Sequence, residues 1–156
     1  MSDSLQELYG RTGRTITDRD AQDITRVEEL SYDLKTSDVM TRDVQCLAPM
    51  ETMRAVFDLL RKYHISGAPV MENDTLVGVI SQEDLMRAMA DGDQNAPIQN
   101  YMTKKVITVK SYEPVVKALE IFARTKIGRL PVVDENEKLV GMITKGDITR
   151  GVLVAI

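Results

Sequence analysis

Two four-residue stretches carry the clearest chemistry in this chain: Ser81-Gln82-Glu83-Asp84 and Thr144-Lys145-Gly146-Asp147. Each sets a hydroxyl three residues ahead of a carboxylate, just where a helical pattern begins. That spacing has two uses. As a capping box, the hydroxyl accepts from one unpaired N–H of the first helical turn and the carboxylate reaches back to another. As a ligand site, the carboxylate offers two oxygens that can accept two hydroxyls at once. The free N–H groups of the first turn then suit a phosphate or another polar group. The acid is Asp both times, although the longer Glu suits a reciprocal box. A glycine also stands three residues ahead of each hydroxyl, Gly78 and Gly141. Capping and ligand contact do not exclude one another.

Other reactive side chains are few. Arg129 lies in "IGRLPV" with no acidic neighbour in sequence, where a solvated surface arginine is the plain reading. The matching stretch "ISGAPV" has Gly67 there. Lys145 can add a second donor beside Asp147. Pro69 and Pro131 are expected at the first strand position, where proline is tolerated. The sole histidine, His64, reads as a helix-end polar residue or a cleft-lining one. The sole cysteine, Cys46, sits in "DVQCLAP" and reads as a buried small residue. One His and one Cys make a poor zinc ligand set, so no metal site is expected. An enzyme needs an activated nucleophile or an acid/base pair. With no Gly-rich GxxxxGK[ST] loop either, the chain is expected not to be an enzyme and to require no cofactor.

These residues recur because the chain is duplicated. "DVMTRDV" returns as "NYMTKKV", "ISGAPVM" as "IGRLPVV" and "LVGVISQED" as "LVGMITKGD". Met40 to Met102 is 62 positions, Pro69 to Pro131 is 62, and Gly78 to Gly141 is 63, so one residue is gained between the Pro and the Gly. Each copy predicts strand, helix, strand, strand, helix. In the first, "VQCLA" is a strand. "ETMRAVFDLLRKYH" is a helix whose face carries Met53, Val56, Phe57 and Leu60 at i, i+3, i+4 and i+7. "APVM" and "LVGVIS" form a hairpin around "ENDT". "QEDLMRAMAD" is the second helix, with Gly92 at its C-terminal cap. In the second, the order is "VITV", "EPVVKALEIFARTK", "LPVV", "LVGMIT" and "KGDITRGVLVAI", with Pro114 near a helix start, where a missing N–H costs nothing. The last helix stops at an apolar residue without a cap, so it is expected to continue beyond Ile156. Residues 1–35 read as a polar leader and a short helix (Val27, Leu30 and Leu34 on one side), 36–92 as the first repeat, 93–97 as a linker and 98–156 as the second repeat.

The 156 residues allow two half-sized units, and 43% hydrophobic residues with 4% aromatics demand an aliphatic core, with nine Met as gap fillers. The net charge of −4 argues against nucleic-acid binding, which rests on Lys and Arg neutralising phosphates. No apolar run is long enough for a membrane span, and the start lacks a signal-peptide core. A cytoplasmic protein is expected.

The repeated "VMT"/"YMT", "ISGAPV"/"IGRLPV" and "GVISQED"/"GMITKGD", in order and twice, resemble the CBS domain, named after cystathionine β-synthase; two in tandem form a Bateman module. The resemblance covers about residues 36–156. It implies an α/β (α+β) fold of two βαββα motifs packed about an internal pseudo-twofold axis, with two clefts for adenosine nucleotides such as AMP, ADP or ATP, or related adenosyl compounds. It implies a regulatory module that biases an attached or partner protein, either a C-terminal effector domain or a separate chain. A structural dimerisation module with non-functional clefts is the alternative. Carried onto this sequence, Asp84 and Asp147 bind ribose, with ancillary roles for Ser81 and Thr144. Adenine lies against Val44 or Val106, and Arg129 meets phosphate. The expected repeat-one cleft is Val44, Gly67, Pro69, Ser81 and Asp84. The expected repeat-two cleft is Val106, Arg129, Pro131, Thr144, Lys145 and Asp147. A homodimer is expected through Leu85, Met86, Met89, Ile148, Val152 and Ile156.

Overall fold

A computed structural model describes residues 26 and 28–155. The leader over 1–23, Val27 and Ile156 lie outside the described residues. Residues 28–33 are helical, and Leu30 is buried while Leu34 packs on the same core. Then follow α1 (Thr36–Val39), α2 (Met53–Tyr63), β1 (Gly67–Glu72), β2 (Thr75–Ser81), α3 (Gln82–Asp91), β3 (Val109–Lys110), α4 (Val116–Arg124), β4 (Arg129–Val133), β5 (Leu139–Thr144) and α5 (Lys145–Ala155).

Local signals account for these elements. The hydroxyl of Thr52 accepts from the Ala55 N–H and starts α2, which buries Met53, Val56 and Leu60. Phe57 of the expected apolar face sits at its margin, 36% exposed. His64 ends α2 in the left-handed region, at φ 52°. β1 and β2 pair antiparallel around the Asn73–Asp74 turn, and β4 and β5 pair in the same way. The bulged pairs Met71↔Leu76 and Val133↔Leu139 correspond, so the extra residue of the second repeat falls in its turn, 134–138 against 72–75. There the Asp134 carboxylate accepts from the N–H groups of Asn136 (2.8 Å) and Lys138 (3.0 Å), which closes the longer loop.

The opening strands are shorter than expected. In the first repeat Leu47 alone pairs, parallel to Val70. Its N–H donates to Pro69 O at 3.1 Å and its carbonyl accepts from Met71 at 2.7 Å. Pro49 follows with no N–H to extend the ladder. Cys46, beside the buried Leu47, faces the other way and is exposed, contrary to the buried position expected of it. In the second repeat β3 pairs with β4 over two residues, and Val106 precedes it outside the ladder. Pro69 and Pro131 are third, not first, in β1 and β4. Pro69 turns its carbonyl to Leu47, so its missing N–H leaves the pairing with β2 intact.

The repeats are laced crosswise. Thr41, ahead of the first repeat's strand, exchanges two backbone hydrogen bonds with Met142 of β5, at 2.8 and 2.9 Å. Thr103 does the same with Val79 of β2, both at 3.0 Å. Met40 thereby joins the core of the second repeat, and Ile98 that of the first. The repeated glycines make this possible. A Cβ at Gly141 would lie 2.7 Å from the Met40 sulfur, and one at Gly78 2.5 Å from that of Met102. The result is a two-stranded sheet (β1-β2) and a three-stranded one (β3-β4-β5), each with helices.

Two residues expected at a dimer face are instead core: Ile148 and Val152 are 5% and 8% exposed. They occupy the side of α5 turned towards β5, and Leu153 and Val154 face outward. Met86 and Met89 of α3 are exposed, and Leu85 is half-buried. Among the described residues no helix is long and apolar enough to cross a membrane.

Candidate functional site

Both helix starts form the reciprocal cap. Ser81 N–H donates to Asp84 Oδ2 at 2.8 Å, and Asp84 N–H donates to Ser81 Oγ at 3.3 Å. Thr144 N–H donates to Asp147 Oδ2 at 3.0 Å, and Asp147 N–H to Thr144 Oγ1 at 3.1 Å. The two carboxylates are 5% and 6% exposed. Capping alone does not saturate them. Asp147 Oδ1 also accepts from the Thr41 hydroxyl at 3.1 Å and from Arg150 at 2.8 Å. Asp84 accepts in addition from its own Ser81 hydroxyl at 2.9 Å and from Arg87. A carboxylate has about four acceptor positions. Three are taken at each Asp, one of them by an arginine that is mostly exposed, 63% for Arg87 and 72% for Arg150. Such a surface arm is held weakly and can give way to a ligand hydroxyl.

The Asp147 start opens into a cavity of about 780 Å³, within the size range of small-molecule sites. It gathers Val44, Gly67 and Pro69 with Arg129, Thr144, Lys145 and Asp147. The expected grouping, one cleft per repeat, is therefore corrected. The cavity combines the lead-in of the first repeat with the helix start of the second. The cause is the crossing: Thr41 is bound to β5, so Asp43 and Val44 are carried to the start of α5. Ser81, Asp84, Val106 and Pro131 lie outside this lining. Pro131 is buried in β4 against Met142. The same crossing sets Thr103 beside β2, the strand that ends at Ser81 and opens towards Asp84.

The sequence reading missed several lining residues, notably Thr41, Ser66, Gln82 and Arg150. Two had a signal. Thr41 and Thr103 belong to the repeated Met-Thr, and Arg87 and Arg150 stand three residues after each Asp at the 63-residue offset. His64 satisfies both of its readings, since it caps α2 and lines the cavity.

Arg129 dominates the electrostatics. It is half-buried; one terminal nitrogen donates to Ser66 Oγ at 2.6 Å, and its buried Nε has no partner. Burial lowers its pKa, and the charges of Glu83 and Asp84 oppose that fall. Arginine stays protonated regardless. Glu83 is held below its ordinary value, first by its own backbone hydrogen bond and, to a lesser extent, by Arg129. Gly67 admits this arrangement, because a Cβ there would lie 2.7 Å from Arg129 Cδ and Nε. The cavity thus sets a buried acceptor at Asp147 against cations at Arg129 and Lys145, with Val44, Ile65 and Met142 as apolar wall. Among the described residues no cluster of His, Cys, Asp and Glu could hold a metal ion.

The family model for the CBS domain matches this chain twice, over residues 37–91 and 98–154. An uncharacterized protein of Methanocaldococcus jannaschii is 38% identical over 117 residues, 75% of this chain and 39% of the relative. Inosine-5′-monophosphate dehydrogenase of the same organism is 32% identical over 126 residues, 80% of this chain and 25% of that enzyme. The chain therefore spans well under half the length of these relatives. Among solved structures, the CBS-pair protein CBSX2 of Arabidopsis thaliana in complex with AMP has a TM-score of 0.69 at 27% identity, covering 78% of this chain and 97% of that one. A CBS domain pair in complex with 5′-methylthioadenosine and S-adenosyl-L-methionine also scores 0.69 at 27% identity, covering 75% and 94%.

Proposed function

This chain belongs to the CBS-domain family as a tandem pair, and from that premise we propose that it is a regulatory module that senses an adenosine nucleotide. The ligand sits in the Asp147 cavity: ribose hydroxyls on Asp147, adenine against Val44, and phosphate towards Arg129 and Lys145. The motifs span 36–92 and 98–156, joined by 93–97, and occupancy biases an attached domain or a partner protein in the cytoplasm. The observation that carries this reading is the pairing of a buried carboxylate, still short of one acceptor contact, with a half-buried arginine across one cavity. The AMP-bound and adenosyl-bound neighbours support the ligand class. The largely satisfied caps favour the second reading, a structural dimerisation module with silent clefts.

Calorimetry separates the two. Loss of the Asp147 carboxylate removes charged hydrogen bonds worth about 1.5–3 kcal/mol, so Asp147→Ala binds AMP about 10- to 150-fold more weakly. With AMP near 100 times its dissociation constant the native protein gains ~2.7 kcal/mol, a melting shift of about 5–11 °C for a chain of this size. If Asp147→Ala binds AMP as the native protein does, Asp147 is a cap only. If the native protein binds no adenosine compound, the structural reading stands.

A further inference from the structure

The molecule has two cores, and because of the crossing they do not coincide with the two repeats. One gathers the residues up to Met40 with residues 109–152, and the other is built on residues 47–102. The backbone bridges stay within one part or the other: Thr41 with Met142, Val79 with Thr103, Leu47 with Val70. So do the ion pairs. Among the described residues, one hydrogen bond joins the two parts. A terminal nitrogen of Arg129, from the first, donates to Ser66 Oγ of the second at 2.6 Å. To reach it the arginine passes over Gly67, where a Cβ would lie 2.7 Å from Cδ and Nε. The Ser66 end is fixed, because its carbonyl accepts from the Gln82 N–H at 2.9 Å. Arg129, Ser66, Gly67 and Gln82 all line the Asp147 cavity, so the tie lies inside the candidate ligand site.

The tie is not fully satisfied. Arg129 Nε is buried without a partner, and a buried donor left unpaired is costly. A guanidinium grips a phosphate by two parallel hydrogen bonds, from Nε and a terminal nitrogen or from both terminal nitrogens. Here Nε is covered and one terminal nitrogen is engaged by Ser66. To grip a phosphate in this way the arm lifts from Gly67 and leaves Ser66. The serine therefore competes with a ligand phosphate for the arginine, and has no such contest with a ligand that lacks one. We propose that Ser66 is a specificity residue of this cavity: it holds Arg129 in a latch between the two cores that a phosphate-bearing adenosine ligand opens and adenosine does not. The inference rests on the adenosine-ligand reading above and adds to it what tells the ligands apart. A bound nucleotide replaces the protein's own polar tie between the cores, so the signal passed on depends on phosphate.

The test is calorimetry of AMP and of adenosine on the full chain, native and Ser66→Ala. Without the competing hydroxyl, the ratio of AMP affinity to adenosine affinity rises on the order of 2- to 12-fold, the worth of about one net hydrogen bond. Side-chain NMR of the native protein reads the latch directly and decides alone if Ser66→Ala does not fold. The Arg129 Nε–H resonance, assigned by its absence from Arg129→Lys, moves with AMP and stays in place with adenosine. A ratio that falls makes Ser66 a support that holds the guanidinium ready for phosphate. An unchanged ratio means the arm never leaves the serine. Either result overturns the latch while the proposed function stands, and so does an Nε–H resonance that ignores AMP or answers both ligands alike. Binding of neither ligand to the native protein overturns both.

Discussion

Gly141→Ala tests the crosswise lacing that assembles the cavity. The added Cβ would lie 2.7 Å from the Met40 sulfur and 2.8 Å from the Thr41 carbonyl oxygen. A methionine end can swing aside; a backbone carbonyl held in a bridge cannot. That carbonyl accepts from Met142 at 2.9 Å, and the Thr41 N–H donates to Met142 O at 2.8 Å. Overpacking of this kind costs about 1–3 kcal/mol, and two weakened backbone hydrogen bonds add about 0.5–1.5 kcal/mol each. The sum, about 2–6 kcal/mol, lowers the melting temperature by about 4–24 °C at roughly 2–4 °C per kcal/mol. AMP affinity falls too, because Thr41 hydrogen-bonds Asp147 and its strand carries Val44 into the cavity. Gly128→Ala is the matched control: its added Cβ meets nothing within 4 Å, so its effect stays within about 0.5 kcal/mol. Thermal unfolding followed by circular dichroism gives both values. A Gly141→Ala protein that melts with the Gly128→Ala control would refute the account of why glycine recurs there.

Two further outcomes follow from the surface. The Tyr101 hydroxyl reaches Asp91 at 2.7 Å and Asp93 at 2.9 Å, and the hydrogen bond to Asp91, then desolvation and the Asp93 contact, raise its phenol well above the ordinary value. A raised folded-state pKa means the clamp is complete at neutral pH and is lost only as pH rises through that folded value. An absorbance titration of the five tyrosines shows one ionising late, and Asp91→Asn brings it back further than Asp93→Asn; five coincident ionisations would contradict this. Of the residues expected at a homodimer face, Met86 and Met89 are exposed, and Met89 and Leu85 line with Phe57 a groove of about 260 Å³ between α2 and α3; we propose this as the dimer surface. Met89→Glu sends the protein from dimer to monomer in light scattering at tens of micromolar, and a monomeric native protein at that concentration defeats the proposal.

Much of the fold is legible in one dimension because its causes are local. The short apolar runs "APVM" and "LVGVIS" on either side of a polar turn, the 3.6-residue stripe of α2 and the Ser/Thr-to-Asp caps act over a few residues, and each appears where its pattern stands. The 62/63 offset carries the pairing of two equivalent units, and the extra residue goes to a turn because only there can the chain lengthen without shifting a register. The cavity's membership is different. Nothing in the order of residues says that Val44 meets Asp147 rather than Asp84, since both helix starts are chemically alike. That choice is made by Thr41 pairing with Met142, 101 positions away, through backbone groups that every residue carries. Nor could sequence alone send Arg129 across Gly67, or decide which apolar residues of α5 turn inward. The apolar residues of α5 lie on more than one side of the helix, and Ile148 and Val152 are the ones buried, packed in one cluster with Ile143 of β5 and Phe122. Sequence determined the parts and their twofold repetition through local preference. The tertiary crossing, through non-local backbone pairing and steric fit, determined which parts share a site.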